Sequence, residues 1–216
     1  MNNVLEPTTE NIRKAVKSLH DGGVIVCPSD CNLGLTVDPW NDAAVAQTFV
    51  IKQRPATKPL TLFIKNPSDW KNYASANEET AQIVEKLTKA FWPGPLNIIL
   101  KKNAHVPEKI VCGGDTVSIS CMANPVLNQL IEEFKKPVAM TSANMAGQAD
   151  GVLVDIQMAS EQVGDKVDYI LKGGAQGTTK SSTIIDLSST PKVVRYGDIT
   201  VEQLNQVVNV FEDAQA

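Results

Sequence analysis

An α/β domain with helices packed on a largely buried sheet is the fold class the sequence predicts, and three observations carry that prediction. Short apolar runs alternate with segments of helical periodicity along the whole chain. No repeat, linker or low-complexity segment interrupts the alternation. At 216 residues, the chain is long enough for one sizeable core.

The elements follow in order. Thr8 or Thr9 caps a helix whose apolar positions Ile12, Ala15, Val16 and Leu19 share one face, and Gly22-Gly23 stop it. The run GVIVCP reads as a buried strand, the polar SDCN as a loop, and GLTVD as a second strand. Asn41 caps a helix carrying Ala44, Val45, Thr48, Phe49 and Ile51, which delivers Lys52 and Arg54 at its end, where Pro55 prevents continuation. After LTLFIK and a polar stretch, a helix from about Asn77 to Phe91 turns Ile83, Val84, Leu87 and Ala90 to one side. WPGP breaks it, and LNIILKK and TVSISC follow as strands. NPVLNQLIEEFKK is a helix and PVAMTSA a strand that runs into SANMAG. DYILK, STIIDL and KVVRY are short strands, and the amphipathic TVEQLNQVVNVF closes the chain.

Composition narrows the function classes. Hydrophobic residues make up 43% and charged residues 20%, an ordinary globular balance. No apolar run approaches the roughly eighteen residues of a membrane span, and the start, MNNVLEPTTENIRK, lacks the sections of a secretory signal, so a cytoplasmic protein is expected. Cys27, Cys31, Cys112 and Cys121 lie at or near apolar segments without the spacing of a zinc site, so no metal ligands are assigned. The net charge of −4 argues against the broad basic face of an autonomous nucleic-acid binder.

Familiar signatures fail on inspection. GAQGTTKS nearly fits a phosphate loop, but Thr179 stands where a glycine must precede the lysine, and a strand follows instead of a helix. There is no G-x-G-x-x-G, no G-x-S-x-G, and only two histidines, so neither a dinucleotide fold nor a serine hydrolase is supported. What stands out is IKQRPATKPL, three cations stiffened by Pro55 and Pro59. Lysine point charges and a forked guanidinium held rigidly suit a polyanion. Ligands of open α/β sheets bind beyond strand ends, which draws attention to the loops after GVIVCP and PVAMTSA.

Taken together, PSDCNLGLTVDPWN, IKQRPATKPL, FWPGPLNIIL, PVAMTSANMAG, SSTIIDL and VVRYGDI resemble, in order, the YrdC family of threonylcarbamoyl-adenylate synthases of tRNA modification, from about Gly22 to Ile199. The resemblance implies a single YrdC-like domain over residues 1–216, a twisted mixed sheet flanked by helices. It implies ATP, L-threonine and bicarbonate as substrates and pyrophosphate as a product. Magnesium is implied on the phosphates, with a separate transferase complex to pass the product to tRNA. By similarity, Lys52 and Arg54 are the catalytic cations. Lys58, Thr141, Ser142, Asn144, Ser182 and Arg195 bind the nucleotide, while Ser29, Asp30, Cys31 and Ser120 line the amino-acid pocket.

The departures gather at that pocket. Where the family reads P-T-E-T-V-Y-G-L, this chain has Pro28-Ser-Asp-Cys-Asn-Leu-Gly-Leu35, with Leu33 in place of the tyrosine. Where the family carries V-x-V-R-V-P, Ser120 replaces the arginine and Met122 the proline. Two rivals therefore stay open: a carbamoyl-adenylate or carbamoyl-transfer enzyme with another amino acid or carbamoyl phosphate as donor, and a non-catalytic module with weak RNA binding.

Overall fold

The structure, a computed structural model, describes residues 3–148, 152–174 and 177–212. Its first half runs β1 (Val4–Leu5), α1 (Thr9–His20), β2 (Ile25–Pro28), β3 (Leu33–Val37), α2 (Asp42–Lys52), β4 (Thr61–Phe63), a 3-10 segment (Pro67–Asn72), β5 (Ala74–Ser75) and α3 (Glu78–Phe91). The second half runs β6 (Leu96–Lys102), β7 (Thr116–Ser120), α4 (Pro125–Phe134), β8 (Val138–Ser142), α5 (Ile156–Val163), β9 (Tyr169–Leu171), β10 (Thr183–Asp186), β11 (Lys192–Arg195) and α6 (Val201–Val207). The helices start on side chains that satisfy orphan amides: Thr8 for α1 and Asn41 for α2, as the sequence predicts, and Asn77 for α3 and Asn124 for α4.

The strands form one mixed sheet in the order β1-β9-β2-β3-β8-β4-β7-β6-β10-β11, with β5 beside β6. β4 lies parallel to β7 and β6 parallel to β10, while β3, β8 and β4 alternate in direction. One face is fully covered. Leu33, Leu35, Leu62, Leu96, Ile98 and Ile119 project there onto the buried sides of α2, α3, α5 and α6 in the larger core. On the other face α1 and α4 cover only one end, packing Ile12, Leu19, Leu127 and Phe134 against Ile25, Cys27 and Met140 in a second core. The sheet is largely buried, as expected, with one opening. Beyond α1 and α4, the alternate positions of β4, β6 and β7 carry Thr61, Asn97, Thr116 and Ser118 and line an open cleft.

Three other differences have local causes. The stretch left unassigned before β9 contains α5, capped by Asp155, whose carboxylate accepts from Met158 N at 2.8 Å. The closing helix ends early because the Asn205 side-chain amide pairs with both backbone groups of Phe211, at 2.8 and 3.1 Å, and turns the chain. On α3, Ala90 is exposed, and Thr88 is buried on the inward face instead.

The far edge of the sheet closes tightly at Gly197. Its amide donates to Thr183 Oγ1 at 3.1 Å, and that hydroxyl donates to Ile199 O at 2.8 Å. A Cβ at Gly197 would lie 2.5 Å from Thr183 N and press on Ser181 O. Gly197→Ala is expected to lower stability by about 1–3 kcal/mol in urea unfolding; unchanged or raised stability would contradict this packing.

Candidate functional site

The last turn of α2 supplies the first group. Lys52 is 2% exposed, and its ammonium donates to Ser142 O at 2.7 Å, Ser142 Oγ at 3.1 Å, Asn144 O at 2.7 Å and Asn144 Oδ1 at 2.9 Å. A buried charge is tolerated only when it is surrounded by such acceptors. Lys52 is thus no solvated helix-end cation. It ties α2 to the turn after β8, and the backbone repeats the tie, since Ala146 N donates to Lys52 O at 2.9 Å.

Arg54 follows the left-handed Gln53 that ends α2. Its Nε donates to Lys58 O and its Nη2 to Pro59 O, both at 2.9 Å. The prolines alone do not hold the 54–59 segment; the guanidinium is wrapped by its own loop. Burial lowers the affinity of Arg54 for its proton, as it does for Arg195, and both remain cations at neutral pH. Lys58 is exposed at the rim.

Across the cleft, Arg195 donates from Nε to Ser182 O at 2.8 Å and from Nη2 to Ser182 Oγ at 2.9 Å. Asp198 accepts from Thr179 N at 2.8 Å and Lys180 N at 3.2 Å, which fixes the backbone that carries Lys180 to the cleft wall. These amides and the Thr179 hydroxyl hold the Asp198 carboxyl below its ordinary range, the hydroxyl contact being the largest cause.

The loop after β2 forms the third wall. Ser29 Oγ donates to Asn32 O at 2.7 Å, while the Asn32 side chain reaches Ser181 Oγ at 3.0 Å and accepts from Val154 N at 2.7 Å. Asn32 thereby joins three segments. Cys31 is 2% exposed, and burial pushes its thiol up to about 11, so it is protonated and no nucleophile at neutral pH.

The cleft between these walls encloses about 870 Å³. It brings together Ser29, Cys31, Lys52, Arg54, Lys58, Thr141, Ser142, Asn144, Ser182 and Arg195 from the sequence-predicted set. Two members are corrected. Asp30 does not line it: its carboxylate is turned to Ala123 N at 3.0 Å and Asn124 N at 2.7 Å, and burial raises its proton affinity against the opposing pull of those amides. Ser120 is fully buried and donates to Leu96 O at 3.3 Å. Of the divergent positions, Leu33 points into the main core, whereas Met122 lines the cleft. Asn32, Asn97 and Lys180 are cleft residues the sequence reading missed.

The charge distribution is one-sided. Five cations, Lys52, Arg54, Lys58, Lys180 and Arg195, line the cleft, and among the described residues no acidic side chain does. In a chain of net charge −4 this is a local concentration of positive potential suited to a polyanion. The described residues contain no group of three or more His, Cys, Asp or Glu side chains that could hold a metal. The described lining of the cleft offers no carboxylate to a magnesium ion. No described helix is long and apolar enough to cross a membrane.

Comparison with known proteins bears on the family and the fold. The Sua5/YciO/YrdC family model, described as telomere recombination, matches residues 17–197. A threonylcarbamoyl-AMP synthase of Pyrococcus abyssi is 32% identical over 208 residues, 95% of this chain and 60% of that protein. The chain thus spans somewhat under two thirds of that relative. A threonylcarbamoyl-AMP synthase of Vibrio cholerae is 33% identical over 87% of this chain and 98% of its own. The crystal structure of P. abyssi Sua5 complexed with L-threonine superposes with a TM-score of 0.87 at 29% identity, covering 97% of this chain and 62% of that one.

Lys52 and Lys58 should separate on substitution. Lys52→Ala leaves four acceptors, the two on Asn144 buried, without their donor and is expected to cost about 1–3 kcal/mol of stability in urea unfolding, with loss of nucleotide binding. Lys58→Ala, at an exposed position, should leave stability within roughly 0.5 kcal/mol and weaken nucleotide binding alone. Equal stability of the two variants would contradict the structural part given to Lys52.

Proposed function

The chain belongs to the Sua5/YciO/YrdC family, and on that premise we propose that it makes threonylcarbamoyl-AMP from ATP, L-threonine and bicarbonate and releases pyrophosphate. The observation that carries this reading is the cleft lined by five cations and, among the described residues, no acid.

In this reading the amine of threonine takes up bicarbonate to give a carbamate and water. A carbamate oxygen then attacks the α-phosphorus of ATP, and the bond to the β-phosphate oxygen breaks. The step needs alignment of two anions and neutralisation of charge on the departing pyrophosphate, with no protein nucleophile. Arg54, Lys58, Lys180 and Arg195 supply that neutralisation. Lys52 acts on it chiefly by fixing Ser142 and Asn144, which with Thr141 and Ser182 orient the nucleotide. Ser29 and Cys31 border the amino acid. We place magnesium with the nucleotide, on phosphate oxygens and water, because the cleft offers no carboxylate among the described residues. The product is a reactive mixed anhydride, and in this reading a transferase acting on tRNA consumes it in the cytoplasm, where ATP and tRNA meet.

The test is pyrophosphate release with ATP and each standard amino acid in turn, with and without bicarbonate. Release that requires both threonine and bicarbonate is expected. Release supported only by another amino acid, or only by carbamoyl phosphate, would overturn the reading.

A further inference from the structure

Asn97 Oδ1 is the one buried side-chain oxygen or nitrogen among the described residues that lacks a hydrogen-bond partner. Asn97 is 4% exposed, lies on β6 and lines the cleft. Its neighbours across the sheet are Ser120 and Ile184. Ser120 spends its hydroxyl hydrogen on Leu96 O, and Ile184 has none to give. A desolvated amide carbonyl with no donor is a standing cost, relieved when a ligand brings an N–H or O–H.

The surroundings say what kind of donor. Phosphates carry acceptors and are served by the cations. An amino-acid nitrogen entering this cleft meets no carboxylate among the described residues. Asn97 also sits between two different walls. On one side, through Ser120, is Phe63, with Met122 near the same end; on the other, through Ile184, is Arg195.

We propose that Asn97 Oδ1 receives an N–H of the amino-acid substrate and so positions the nitrogen that reacts. This rests on the function proposed above. Ammonium and bicarbonate give carbamate, water and one proton released to solvent: the N–C bond forms as a C–O bond of bicarbonate breaks. Ammonium, amine and carbamate each keep at least one N–H, so a neutral carbonyl can hold the nitrogen throughout. A carboxylate would favour the ammonium, whose lone pair is blocked by a proton.

The test is calorimetric titration of L-threonine and of L-2-aminobutyrate, which keeps the amine and lacks the hydroxyl, into protein saturated with a non-hydrolysable ATP analogue. Asn97→Leu is expected to weaken both amino acids by the same factor, about tenfold or more, with the affinity for the analogue unchanged. Weakening of threonine alone would assign the amide to the hydroxyl and overturn the proposal, as would no weakening of either. Should Asn97→Leu fail to fold, Asn97→Asp keeps the acceptor and is expected to bind both at least as tightly as the native protein; a tenfold loss of both would overturn it. A native protein that binds the analogue and no threonine removes the amino-acid half of the proposed function, and this inference with it. Unaltered threonine affinity in Asn97→Leu removes this inference alone.

Discussion

Lys52 joins the end of α2 to the turn after β8 through four hydrogen bonds, and the placing of the other cleft groups depends on that joint. An ammonium buried to this degree is stable only because two carbonyls, a hydroxyl and an amide oxygen converge on it, and those oxygens are held in place by the same charge. On the α2 side the chain leaves directly into the loop wrapped around Arg54. On the β8 side Ala143 N bonds Leu33 O at 2.8 Å, which sets the turn against β3 and the loop that contains Ser29 and Cys31. One side chain thus orders two cleft walls while showing almost none of its own surface.

The cleft exists because α1 and α4 stop short. They cover one end of a face whose remaining strands place threonine, serine and asparagine at alternate positions, while the partner positions fill the main core on the opposite side. A sheet face of that kind must be hydrated or occupied. Around it the chain places arginines and lysines, and acids such as Asp30 and Asp198 are turned to backbone amides behind the walls. The positive field in an acidic protein arises from this sorting of charges.

Much of this was legible. Helix caps at Thr8 and Asn41 announce α1 and α2, helical periodicity announces α3, and the apolar runs announce the central strands, because all three signals are local. The cationic segment and the Ser142–Asn144 turn could be paired through family resemblance, but the burial of Lys52 could not be foreseen, since it depends on β8 lying beside β3. The alternation in TVSIS was visible; which of its faces stays open depends on where two distant helices end. Asp30 reads like a pocket acid in sequence and proves to be an anchor for the start of α4. Asn97, in a strand of apolar neighbours, gives no sign in sequence that its carbonyl is left without a donor. β1 and β5, two residues each, are too short to show any period.

The central claim is that the cleft recognises phosphate charge. It is tested most directly by the affinities of ATP, ADP, AMP and adenosine for the native protein at one fixed ionic strength. The structure predicts a steep fall in affinity with each phosphate removed, because each removes an anion from a cleft with five cations on its walls. Comparable affinities for ATP and adenosine would show that the cations serve the fold alone and would contradict the account.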